Sequence, residues 1–118
     1  MSSYQNPQDL ALSGALMGLA PMEAKAFMQL KSVAEREDGA IPAKYRELIS
    51  IAVALTTQCA YCIDVHTKNA AAVGVTKQEL AETVFIAASL RAGAAVGHGL
   101  LALRLFGVNH SAEGGAKD

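Results

Sequence analysis

Tryptophan is absent from this 118-residue chain, and three tyrosines and three phenylalanines are its only aromatic side chains. Alanine and glycine crowd the stretch from Ala70 to Ala102 instead. A core of such small groups is thin, and burying Leu100, Leu101, Leu103, Leu105 and Phe106 against a second subunit would thicken it, so a homo-oligomer is expected. Neither sign of charge dominates: the formal net charge is −1, which offers nothing to attract nucleic acid or an anionic membrane. The longest apolar region, Ala81 to Phe106, is interrupted by Arg91, His98 and Arg104. The polar start, Met1 to Asp9, lacks the basic-then-apolar pattern of a secretory leader. These absences lead to the expectation of a soluble, cytoplasmic protein with no membrane and no nucleic-acid partner.

Also missing are runs of alternating β-branched residues closed by hairpin turns. Leu48, Ile51, Ala52 and Leu55 recur at three- and four-residue spacing instead, the period of a helix, and the fold class is all-α. Asn6-Pro7 opens a first helix over about Pro7 to Leu19, and Pro21 restarts a second to about Glu35. Gly39 to Pro42 ends that layer, and a third helix runs to about Thr57. A fourth begins near Ala60 and stops at Gly74, and Thr76 with Glu79 forms a capping box for the next. From Lys77 the pattern continues to Phe106. Gly93, Gly97 and Gly99 each cost a helix roughly 1 kcal/mol relative to alanine, so a bend or break is expected near Ala92 to Gly93. The tail after Val108 is expected to be loose. At this length the chain makes one domain, residues 1–118, of five to six helices.

Only two cysteines occur, and they stand three apart in Cys59-Ala-Tyr-Cys62. In a reducing compartment such a pair is a redox or metal element more readily than a permanent staple. Cys62 falls in the first turn of the fourth helix, where free backbone N–H groups and the helix dipole favour a thiolate. It is the expected nucleophile. His66, one turn on along the same face, is the base that takes its proton. Cys59 is the resolving thiol, because a sulfenic acid formed on Cys62 condenses with a neighbouring thiol before it overoxidises. Glu47 lies on the preceding helix. A carboxylate in an apolar stripe needs a partner, and a short connection between the two helices makes His66 that partner.

Glu47, Cys59, Cys62 and His66, together with the run Arg46-Glu47-Leu48 to Ala54 and the helix start Gly74-Val75-Thr76, resemble the alkylhydroperoxidase AhpD-like group of the carboxymuconolactone decarboxylase superfamily. The resemblance spans about 41–105. It implies an all-helical bundle with the CxxC at the start of a central helix, commonly assembled as a homotrimer or homohexamer. In that group the second cysteine reacts with peroxide, the first resolves it, and histidine and glutamate relay the proton. The resemblance therefore implies a thiol-dependent peroxidase or disulfide oxidoreductase that reduces a hydroperoxide substrate. It needs no cofactor beyond the Cys59–Cys62 redox-active disulfide, and it draws electrons from a dithiol reductant, a lipoyl-bearing protein in the best-known members. Those members carry a histidine immediately before the second cysteine, where this chain has Tyr61.

Two other functions compete with this one. The decarboxylase branch acts on a small cyclic acid without a CxxC pair, and the two retained thiols argue against it. Zinc would draw on Cys59, Cys62 and His66 with Glu47 or His98, yet structural zinc sites take two ligand pairs from separate segments and no second pair exists here, so no metal is expected. Tyr61 and His98 are the remaining substrate-facing candidates, although a close helix contact or subunit interface suits His98 better. Glu23, Glu35, Glu37 and Asp38 read as surface charge, Met17, Met22 and Met28 as core filling, and Arg91 as a structural pairing residue.

Overall fold

The computed structural model describes residues 4–112. A short 3-10 helix, Pro7–Leu12, leads into α1, Ser13–Leu19, and is followed by α2, Pro21–Ala34, α3, Ala43–Thr57, α4, Ala60–Ala72, and α5, Lys77–Ala112. No strand occurs among the described residues. The expected first helix is thus two pieces. Asn6 caps the first, accepting from the Gln8 amide at 2.9 Å while Asp9 accepts from the Asn6 amide at 3.3 Å, and the backbone tightens to 3-10 before relaxing to α at Ser13.

α3 and α4 pack against each other, and α5 packs on α3. The connection between α3 and α4 is only Gln58-Cys59. Gln58 takes the left-handed conformation, φ 59°, and both its amide and that of Cys59 return to the carbonyl of Ala54. Arg91 of α5 donates to the carbonyl of Thr56, satisfying another exposed end of α3. The arginine is engaged structurally, as expected, but by a backbone carbonyl where an acidic side chain was the expected partner. α4 ends with Gly74 at φ +85°. The amides of Val75 and Gly74 bond the Ala70 and Ala71 carbonyls at 3.0 and 3.3 Å, a closure that needs a left-handed residue at position 74. Thr76 and Glu79 then bond each other's amides at 2.9 and 3.1 Å and start α5.

Two expectations about α5 and its end are corrected. The helix runs unbroken through Gly93, Gly97 and Gly99, because alanine, leucine and arginine on either side favour helix strongly and no proline removes a hydrogen bond. It also continues past Val108 to Ala112. The rest of the tail, with Gly114-Gly115, lies outside the described residues.

The buried core is small: Ile51, Ala54, Ala70 and Ala87, with Glu47 and Thr83 buried among them. The chain exposes 9349 Å², where a compact monomer of its mass would expose about 6,100 Å². Its radius of gyration is 20.5 Å, against about 13–14 Å for a compact domain of this length. Leu100, Leu101, Leu103, Leu105 and Phe106 all stand exposed on α5. Met22 and Met28, expected in the core, are exposed as well, since α2 packs only against α1 in the single chain. By length and composition, Lys77–His110 is also long and apolar enough to cross a membrane.

Candidate active site

The face of α3 turned to the interior is centred on Glu47, Ile51 and Ala54, one residue round from the stripe read in the sequence. A carboxylate therefore stands at the middle of a buried apolar face. Its partner comes from α4: Glu47 Oε2 lies 2.7 Å from Nδ1 of His66. Glu47 is 7% and His66 12% exposed at the side chain, so water does little to screen the pair. This bond fixes which ring nitrogen faces α3 and leaves Nε2 turned the other way.

Cys59 is the N-cap of α4, and its Sγ accepts from the Cys62 amide at 3.2 Å. Cys62 is in the first turn, as its spacing predicted. The two sulfurs are joined as a disulfide, with Cα atoms 5.3 Å apart. His66 follows four residues after Cys62 on the same helix and so shares its face. In this oxidised state neither sulfur is a thiolate available to zinc, and no group of three or more metal-ligating side chains converges among the described residues.

Tyr61 is bonded to the N-terminal segment. Its hydroxyl donates to Asp9 Oδ2 at 2.6 Å, joining the N-terminal 3-10 helix to α4. The hydrogen bond to the Asp9 carboxylate is the main reason its phenol is held above the ordinary value of 10.0; burial and the Asp9 charge add to the effect. Tyr61 is therefore a neutral donor, with small open pockets on either side of it, one lined by Leu10, Leu12 and Leu16, the other by Gln5, Pro7 and Asp64.

His98 is not brought to the disulfide in the single chain. It is exposed on α5, seven residues past Arg91, about 10 Å further along the axis. Glu35 is the opposite case. Read as surface charge, it lies with Oε1 3.8 Å from His66 Nε2 and Oε2 2.5 Å from Lys31 Nζ. The signal for it in the sequence was an acid at the C-terminal end of a helix, the end where the helix dipole disfavours a negative charge. Glu23, Glu37 and Asp38 are exposed as expected.

An all-helical fold with a CxxC disulfide at a helix start, backed by a buried Glu–His pair, defines a class of thiol-bearing helical proteins. Within it, the model of the carboxymuconolactone decarboxylase family matches residues 21–105, and the chain belongs to that family. It is 42% identical over 103 residues to a Paracoccus denitrificans protein described as uncharacterized protein 4 in the cox locus, covering 87% of this chain and 92% of that one. An uncharacterized protein of Cupriavidus necator is 32% identical over 93 residues, covering 79% and 81%. The crystal structure of an apo carboxymuconolactone decarboxylase family protein from Legionella pneumophila is similar to this fold, with a TM-score of 0.65, 30% identity, and 85% and 89% of the two chains covered. The resemblance to AhpD-like members agrees with these matches.

Proposed function

We propose that the protein is a thiol-dependent peroxidase or disulfide oxidoreductase working through Cys59 and Cys62. The observation that carries this reading is the Cys59–Cys62 disulfide one helical turn from a histidine held by a buried carboxylate. In the reduced protein His66 takes the Cys62 proton, and the thiolate attacks the terminal oxygen of a hydroperoxide. The S–O bond forms as O–O breaks, and the departing alkoxide leaves as an alcohol with the proton held on His66. Cys59 then attacks the sulfenic sulfur of Cys62, forming S–S and releasing water. A dithiol donor, such as a lipoyl-bearing protein, reopens the bridge and becomes a disulfide itself. Glu47 orients His66 throughout.

The family also has a decarboxylase branch, whose chemistry needs no thiol pair; the retained cysteines favour redox. A single assay separates the branches. Hydroperoxide consumption driven by a dihydrolipoyl donor and stopped by thiol blocking supports the redox reading, whereas activity on a small cyclic lactone after thiol blocking supports the other.

A homotrimer or homohexamer belongs to the same reading. The surface in excess of a compact monomer is about 3,000 Å², a size typical of permanent interfaces. Self-association suits α5 better than a bilayer does, since Arg91 is committed to α3 and Arg104 interrupts the apolar half. A soluble, cytoplasmic location, where dithiol donors are kept reduced, fits the chemistry.

A further inference from the structure

His66 lies between two carboxylates. Glu47 engages Nδ1 at 2.7 Å from α3, and Glu35, at the end of α2, approaches Nε2 to 3.8 Å. Glu35 is also bonded to Lys31 at 2.5 Å, so an unbroken series of charges runs from the outer face of α2 inward to Glu47. With both carboxylates ionised and Lys31 charged, the set balances only when His66 carries a proton.

We propose that Glu35 is a second carboxylate of the relay, a positioning residue that steadies the His66 ring from its Nε2 side and favours a proton there. Three observations carry this. Nδ1 is already occupied by Glu47 at 2.7 Å, so Nε2 is the ring nitrogen left to exchange a proton. The only acid this close to Nε2 among the described residues is Glu35. Its separation, 3.8 Å, is ion-pair range but longer than a hydrogen bond, which holds the imidazolium by charge without sequestering its proton. Other charged groups on the surrounding elements are engaged elsewhere: Lys44 with Glu79, Lys68 with Asp64, Arg46 with the Arg36 carbonyl, and Asp9 with Tyr61. On α4 itself, the group that shares the His66 face is the Cys59–Cys62 disulfide.

The use of that proton rests on the thiol-redox reading. When an external dithiol opens the disulfide it gives up two electrons and two protons and forms its own S–S bond. Cys62 leaves as a thiolate and takes up the proton that Nε2 carries; that proton is replaced by one from the donor. Loading Nε2 in the oxidised state makes Cys62 the better leaving thiolate.

The test is a titration of the oxidised protein, without peroxide or donor, following the His66 ring resonance by NMR. Glu35→Gln moves the midpoint to lower pH by about half a unit, a threefold change in protonation. Lys31→Gln, which leaves Glu35 uncompensated, moves it to higher pH, and Glu35→Asp lies between wild type and Glu35→Gln. Unchanged midpoints, or shifts of one sign in both charge variants, overturn the proposal; a merely structural role does not produce opposed shifts. Because no turnover is needed, failure here leaves the peroxidase reading standing, and failure of peroxidase activity leaves this result standing.

Discussion

Glu47 Oε2 and His66 Nδ1 are 2.7 Å apart across the α3–α4 contact, both largely withdrawn from solvent. A buried carboxylate is costly without a partner, and the His66 ring supplies that partner. Glu47→Gln keeps the shape and removes the charge. The rate at which peroxide oxidises the reduced thiols falls about 10- to 100-fold, read by stopped flow, and His66→Ala loses at least as much. An unchanged rate in Glu47→Gln removes the carboxylate from the relay.

The Tyr61–Asp9 bond ties the N-terminal helix to the CxxC helix. Because the phenol is held above 10.0 by its bond to Asp9, the contribution of this tie is fully present below that pH and is lost as pH rises through the raised value. Tyr61→Phe speeds hydrogen exchange of the Pro7–Leu12 amides at neutral pH while leaving the α3–α4 amides unchanged. In wild type the same segment loosens only in alkali. Equal protection in both proteins near neutrality contradicts the tie.

Glu79 is held below its ordinary value of 4.5 chiefly by its hydrogen bond to Lys44, and also by the Thr76 amide. A depressed carboxylate stabilises the fold above its unfolded value, and that contribution disappears as pH falls through the lowered one. Glu79→Gln is therefore less stable than wild type to urea at neutral pH, and the two converge in strong acid. A difference that persists at the acid end rules out this origin.

Leu100 and Leu103 stand exposed on the outer half of α5. Replacing both by glutamate places charge in the surface proposed to join subunits. Sedimentation then shows the wild type as trimer or hexamer and the double variant as smaller species. A wild type that sediments at 12.3 kDa contradicts the assembly.

Local signals were the legible part of the sequence. The Thr76/Glu79 box, the turn at Gly74 and the start of α4 each depend on a few consecutive residues, and the structure has all three. Glu47 was legible as a polar residue out of place on an apolar stripe. Glu35 and Asp9 were not, because each meets its partner from a distant segment: His66 lies 31 residues after Glu35, and Tyr61 lies 52 after Asp9. The glycines of α5 misled for a different reason. Their cost is real, but it is spread along a helix whose neighbouring residues favour the helical state.

Counting thiols tests the central claim most directly. Fully reduced protein is mixed with one equivalent of hydroperoxide, and free thiols and intact mass are followed together in wild type, Cys62→Ser and Cys59→Ser. Both thiols disappear into one internal disulfide in wild type, Cys62→Ser does not react, and Cys59→Ser accumulates a sulfenic acid that a dimedone probe captures. Two thiols that survive peroxide in wild type, or equal reactivity of the two serine variants, contradict it.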